Sequence, residues 1–206
     1  MPVGNVMNFA GMLKEGLGKY DKSQLEMLSD EVFKNSNRLS TMILNMLDLA
    51  TLNAEKIELQ KKTVNFSELV EDRVKTCRNI YLQNKKVNIK LSVDQNILID
   101  IDPNYIRQAV DNLVINAITY SDSGEIFIRV AKEGSGAKFV ISDQGIGIPR
   151  EEIYDVFTPF KMGSNTESKA QGRGVGLALC KSAVEAHGGT VKAESSGKGA
   201  KFTFVL

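Results

Sequence analysis

Residues 143–149 read DQGIGIP, and residues 172–181 read GRGVGLALCK. Glycine gives up more chain freedom on folding than any other residue and weakens strands and helices alike. Two alternating-glycine clusters therefore mark places where backbone must come close to something. The first follows AKFVISD, an apolar run that reads as a strand delivering Asp143 at its end. A carboxylate there can accept a hydrogen bond from an exocyclic amine such as that of adenine, and Gly145 and Gly147 would let the backbone pass beneath a flat ring. The second cluster opens a helix predicted from about Val175 to Ala186. Backbone N–H groups at a helix start favour phosphate, through unsatisfied donors and the helix dipole, and glycines let the chain curl round it. Each cluster alone is equally an ordinary glycine turn. The second is no Walker loop, since no Lys-Ser/Thr follows its glycines, and no βαβ unit of a dinucleotide-binding fold surrounds it.

Working outward, EIFIRVAKE and AKFVISD flank GSG and read as an antiparallel hairpin. Upstream, KTVNF reads as a short strand, and Ser67 is placed to cap a helix running to about Gln83. VNIKLSV alternates as a half-buried strand does, NILIDID is a second strand, and Pro103 fits the first turn of a helix ending near Tyr120. Downstream, a short helix is predicted over Glu151 to Val156, and TVKAESSGKGAKFTFVL reads as two strands around a glycine turn. Between these elements, Lys161 to Gly172 is polar and aperiodic, a loop of the length and kind that often carries function.

The first 55 residues differ. Two helices are predicted, Pro2 to Leu17 and Ser23 to Asn53, joined by GKYDKS with Gly18 as terminator and Asp21 or Ser23 as cap. The second carries a heptad seam of Leu25, Leu28, Val32, Leu39, Met42, Met46 and Leu49, with Asn35 as its polar member. Ile43 and Leu47 widen the seam towards that of a four-helix bundle. Two helices are half of one, so a homodimer through residues 1–55 is expected; the alternative is packing on the rest of the same chain. The fold class is α+β: a helical hairpin over 1–55 and a mixed module over 56–206.

Composition bounds the rest. The 206 residues are 42% hydrophobic and 25% charged, with a net charge of +1, which gives no argument for a nucleic-acid partner. No apolar run reaches a membrane span, and no signal pattern opens the chain, so a cytoplasmic location is expected, with a parent protein that can still be membrane-anchored. Cys77 and Cys180 read as free thiols. The lone histidine, His187, excludes a multi-histidine metal site.

The helix at 103–120 ends DNLVINAITYS. Asn112 and Asn116 stand four apart and share one face, while Val110, Val114 and Ala117 point to a core. Two such amides must find buried partners or face a ligand, and amide oxygens are acceptable hard ligands for Mg2+.

In order, NLVINAITYS (112–121), DQGIGIP (143–149), VFTPF (156–160) and GRGVGLALCK (172–181) resemble the N, G1, F and G2 boxes of the sensor histidine kinases. That family belongs to the superfamily that includes DNA gyrase, Hsp90 and MutL. The resemblance extends to the N-terminal helix pair, which is similar to the family's dimerisation and phosphoacceptor bundle. It implies a two-layer α/β sandwich with a mixed sheet, the Bergerat fold, and transfer of the γ-phosphate of ATP to a histidine of the dimerisation helix, in two-component signalling with a response regulator. It implies further that Asn112 holds Mg2+, that Asn116 contacts phosphates or the metal, and that Tyr120 borders the nucleotide. By the same resemblance Asp143 binds the adenine amine with Gly145 and Gly147 shaping that wall, Phe157 and Phe160 anchor a lid, and Gly172, Arg173, Gly174, Val175, Gly176 and Leu177 line the triphosphate. Gyrase-like relatives carry a glutamate where Asn112 stands; an amide is no base at neutral pH, so transfer to a side chain is expected over hydrolysis. A dimeric scaffold without kinase activity is the alternative.

The sequence departs from the family pattern at Thr119, where a lysine is usual; Lys161, Lys169 and Arg173 are the candidate cations to compensate. Pro2 matches the proline of the family's His-Glu-x-x-x-Pro, which places the acceptor histidine just before residue 1. Autophosphorylation of the chain as given is therefore not expected. His187, in EAHGG, reads as part of a helix end with Gly188 as cap.

Overall fold

The computed structural model describes residues 2–16, 18–53, 59–82, 85–166 and 174–206. The chain divides into two compact units, Met1–Leu47 and Asp48–Leu206.

The first unit contains α1 (Pro2–Gly16) and most of α2 (Lys22–Asn53). The connection closes as a left-handed turn at Gly18, with φ of 84°. Asp21 Oδ1 accepts from Gln24 N–H at 2.8 Å, and Gln24 Oε1 accepts from Asp21 N–H at 3.1 Å. This is a reciprocal capping box, so Asp21 and not Ser23 starts the helix. The seam residues Leu25, Leu28, Val32 and Leu39 are half-buried, whereas Asn35 is buried. Its amide donates to Glu31 O at 2.7 Å, and Asn5 Nδ2 lies 3.5 Å from its Oδ1. Met27, Phe33 and Ile43 remain exposed within the chain. The side chains of Met42, Met46, Leu47 and Leu49 lie outside the described residues.

In the second unit β1 (Lys62–Asn65) pairs antiparallel with β3 (Leu98–Ile101). The main sheet has the order β2-β4-β5-β7-β6, from Lys86–Val93, Ser123–Glu133, Gly136–Ser142, Lys201–Val205 and Thr190–Glu194. β2 and β4 run parallel; the other pairs are antiparallel. Three helices, α3 (Phe66–Tyr81), α4 (Pro103–Tyr120) and α5 (Gly176–Ala186), form the second layer. The core between the layers holds Phe66, Val70, Ile106, Val110, Leu113, Val114, Cys180 and Val184 from the helices, against Ile126, Ile128, Phe139, Ile141 and Phe204 from the sheet. Phe204 stacks on Phe139 at 4.9 Å and meets Phe66 edge-on at 6.1 Å. Cys77 and Cys180 are free and buried, and burial pushes both thiols up to about 12.

Three local expectations are corrected. Ser67 is not the cap of α3: Asn65 accepts from Glu68 N–H, and Ser67, one residue inside the helix, donates to Asp94 O at 2.7 Å and accepts from Ile97 N–H at 3.1 Å. Ser67 already lies inside the helix and its hydroxyl is held by a later connection, so the cap falls to Asn65. α3 also stops at Tyr81, short of Gln83. The helix expected over Glu151 to Val156 is a single 3-10 turn, Arg150–Glu152. Glu152, Asp155 and Thr158 N–H each bond three residues back, so the segment steps through tight turns and never reaches α spacing.

His187 ends α5, and Gly188 follows with φ of 84°. Its Nδ1 lies 2.7 Å from Ala183 O, and its Nε2 accepts from Asp102 N–H at 2.9 Å. The ring is therefore neutral with the proton on Nδ1. It ties the end of α5 to Asp102, which caps α4 and also accepts from Gln60 N–H. Burial, followed by nearby Lys61, lowers the ring's pKa from its ordinary 6.5; the Ala183 bond and Asp102 oppose this. The unfolded chain thus takes up a proton first. Stability from this group is fully present above about pH 6.5 and is lost as pH falls towards the folded pKa. Denaturant titrations at falling pH should show this loss in the wild type and a smaller one in His187→Gln.

Candidate functional site

Three pieces of the second unit converge. The first is the amide face of α4. Asn112 sits against the start of α5: a Cβ added at Gly176 would lie 3.1 Å from Asn112 Oδ1. Asn112 Nδ2 is buried without a hydrogen-bond partner among the described residues. A buried unpaired amide costs free energy, which fits a face built to meet a polar ligand. Asn116 lies one turn further along, half-buried, and Tyr120 closes the helix. Burial raises the Tyr120 phenol, and a hydrogen bond with Thr166 lowers it in part.

The second piece is the Asp143 turn. Asp143 is 9% exposed. Its Oδ1 accepts from Gly145 N–H at 2.8 Å and Ala200 N–H at 3.2 Å. Burial pushes the carboxyl up, and those two N–H groups pull it down. With Oδ1 occupied, Oδ2 is the acceptor left for a ligand. The loop is clamped from both sides. Ile146 N–H bonds Tyr120 O at 3.3 Å, and a Cβ on Gly145 would lie 2.4 Å from that carbonyl oxygen. Gly147 has φ of 72°, and a Cβ there would meet Gly197 backbone at 2.7 Å. These two glycines thus have a backbone-packing role of their own. On the other flank Ser195 Oγ accepts from Ile148 N–H and donates to Gly199 O, while Gly199 N–H bonds Gly145 O. For this β6–β7 connection the sequence predicts a glycine turn. Its own alternating glycines, SSGKGA at 195–200, were the signal that it supports the site.

The third piece is the stem of the 161–173 loop and the start of α5. Phe157 packs edge-on against Phe202 at 6.3 Å. Phe160 is different: its ring is half-exposed, and it is held by its backbone, with φ of 64° and its N–H on Gly174 O at 2.9 Å. Gly174, φ of 69°, passes so close to Lys161 that a Cβ would lie 2.3 Å from its carbonyl oxygen. The two ends of the loop therefore touch. Glu152 accepts from Ser164 N–H, and Asn165 Nδ2 donates to Gly147 O at 3.2 Å, which lays the loop's first residues against the Asp143 turn. Val175 is buried, and Leu177 packs on the core. Gly172, Arg173 and Lys169 lie outside the described residues. Lys161 is engaged by Asp155.

Asp111, beside Asn112 in sequence, is held by Arg73 through two parallel bonds of 2.8 and 2.9 Å, with Cys77 Sγ 3.5 Å away. It is spoken for as a structural ion. Among the described residues no cluster of three or more His, Cys, Asp and Glu could hold a metal. Any divalent ion here would rest on the amide oxygens and on ligand phosphates, a set that suits Mg2+.

An α/β sandwich with an amide-bearing helix, a carboxylate at a strand end and a glycine-opened helix is the arrangement expected of a nucleotide-binding module. Comparison with known proteins agrees. The model of the histidine kinase-, DNA gyrase B- and HSP90-like ATPases matches residues 101–206. The circadian input-output histidine kinase CikA of Synechococcus elongatus is 33% identical over 202 residues, covering 93% of this chain and 26% of the relative. The sensor protein KdpD of Clostridium acetobutylicum is 28% identical over 200 residues, covering 96% of this chain and 22% of that protein. Among solved structures, the Acinetobacter baumannii histidine kinase AdeS superposes with a TM-score of 0.79 over 100% of this chain and 94% of that one, at 23% identity. The chain belongs to the histidine kinase-, DNA gyrase B- and HSP90-like ATPase family, with the ATP-binding core of a sensor histidine kinase. It spans about a quarter of the length of these two relatives.

Proposed function

We propose that the chain is a histidine kinase core that binds Mg-ATP between α4, the Asp143 turn and the start of α5, and supplies the γ-phosphate to a histidine on a dimerisation helix. The observation that carries this is the Asp143 carboxylate, buried and fixed through one oxygen by two backbone N–H groups. That leaves one acceptor for an exocyclic amine. Gly145 and Gly147 border the base, Tyr120 flanks it, Asn112 holds the metal, and Asn116 contacts phosphate or metal. Backbone from Gly172 to Leu177, Arg173 included, lines the triphosphate, and Phe157 and Phe160 anchor the loop that covers it. Bound Mg2+ would neutralise charge on the phosphates. The chain's own residues orient the nucleotide and keep water from the reacting phosphorus. Residues 1–55 serve as the dimerisation hairpin and 56–206 as the catalytic domain; the product phosphohistidine is passed to a response regulator. Labelled ATP supplied with a histidine-bearing acceptor helix should give phosphohistidine that is lost in Asn116→Ala; no label on the helix at any Mg2+ concentration counts against the proposal.

A gyrase-like ATPase is disfavoured because Asp111, the one acid beside the amide face in sequence, is occupied by Arg73. Asp111→Asn should leave any slow ATP hydrolysis unchanged while lowering stability by about 1–3 kcal/mol, since Arg73 loses a charged partner in a partly buried place. Steady-state hydrolysis and denaturant melts separate the two effects. The scaffold reading draws on Thr119, which removes a cation from the amide helix; calorimetry that detected no binding of an ATP analogue would favour it.

A further inference from the structure

The last turn of α4 holds no basic residue of its own, and helix ends leave carbonyls that must find donors. At this end the donors come from elsewhere. Lys85, half-buried just before β2, points its ammonium at three carbonyl oxygens: Ile118 O, Thr119 O at 3.1 Å and Ser121 O at 3.2 Å. The carbonyl left between them, that of Tyr120, accepts from Ile146 N–H and is the surface on which Gly145 rests. One lysine thus takes three carbonyls at the end of the helix, and the carbonyl between them docks the Asp143 turn.

We infer that Lys85 is a positioning residue of the nucleotide site. An ammonium has three donors, and here each has an acceptor. Without it, three carbonyls compete for water or for other N–H groups, and the Ile146 N–H loses its selectively available partner. The charge also offsets the negative end of the α4 dipole, next to the place where a polyanion is proposed to bind and where Thr119 supplies no cation. Lys85 acts through α4 and the turn, without touching the nucleotide.

The inference rests on the nucleotide site proposed above, and its test separates the two. A fluorescent ATP analogue is titrated with Mg2+ into wild type, Lys85→Met, Lys85→Gln and Lys85→Arg, at a temperature where circular dichroism shows each folded. Amide exchange at Ile146 is followed in parallel without nucleotide. The methionine and glutamine variants should bind about tenfold more weakly, with faster exchange at Ile146, and arginine should restore both, because its fork supplies donors and charge. A merely stabilising lysine would lower the melting temperature but leave the affinity of the folded protein and the Ile146 exchange unchanged, and that result overturns the inference. Wild type that fails to bind the analogue removes the nucleotide reading instead. In that case the exchange data still decide whether Lys85 holds the turn.

Discussion

Asp143→Asn is expected to weaken binding of ATP about a hundredfold while leaving the nucleotide-free protein as stable as before, or more so. The amide oxygen of asparagine can take the place of Oδ1 and accept from Gly145 and Ala200 N–H, so the turn keeps its internal bonds. At Oδ2 the change is drastic: an acceptor becomes an NH2 donor facing the amine of the base, and two donors now meet with water excluded. Loss of a charge-assisted bond together with such a mismatch costs about 3 kcal/mol. Burial raises the Asp143 carboxyl, so the folded state holds its proton to higher pH than the unfolded chain does. The charged form then subtracts from stability as pH rises through the folded pKa, and asparagine removes that penalty. Calorimetric titration and thermal melts in the absence of nucleotide should move independently; a parallel loss of fold and affinity would make Asp143 a structural residue only.

Gly199→Ala should be the most damaging single methyl in the β6–β7 turn. Gly199 has φ of 64°, and an added Cβ would lie 2.1 Å from Asp143 O, a backbone atom that cannot turn aside. Forcing a non-glycine residue into the left-handed region costs about 1–2 kcal/mol, and displacing the Asp143 strand end adds to it, for about 3 kcal/mol in all. That corresponds to a fall of roughly 10 °C in melting temperature for a chain of this size. Gly134, in the β4–β5 hairpin, has φ of 59° with open space around its Cβ position, so Gly134→Ala carries only the conformational part. Equal melting temperatures for the two variants would show that the close approach at Gly199 is unimportant.

What could be seen in the sequence followed the range of the interactions. α4 opens at Pro103 and ends at Tyr120 as predicted, because a cap at Asp102, proline in the first turn and a continuous apolar face all lie within the segment. The hairpin around Gly134 and Gly136 was legible from alternation and glycine alone. The cap of α3 was not, because Ser67 looks like a cap in sequence and is claimed in the fold by Asp94 and Ile97, which lie in a later connection. The helix expected at 151–156 shortened for a related reason: Phe157 is drawn to Phe202, far along the chain. In the candidate site, Asp143 and the paired asparagines were singled out by the resemblance of four ordered motifs to the histidine kinase boxes, since each motif alone reads as well as a turn or a capping pair. Lys85 was not, since it acts on backbone carbonyls that carry no residue-specific signature, and at Ser195 and Gly199 the sequence shows only the alternating glycines of a turn.

The most direct test follows backbone amide resonances while a non-hydrolysable ATP analogue with Mg2+ is added. The nucleotide account predicts saturable shifts concentrated at Asn112–Tyr120, Asp143–Ile148 and Gly174–Leu177, and their absence in Asp143→Asn. Saturating analogue that left those three stretches unmoved, or shifted a different surface, would contradict it.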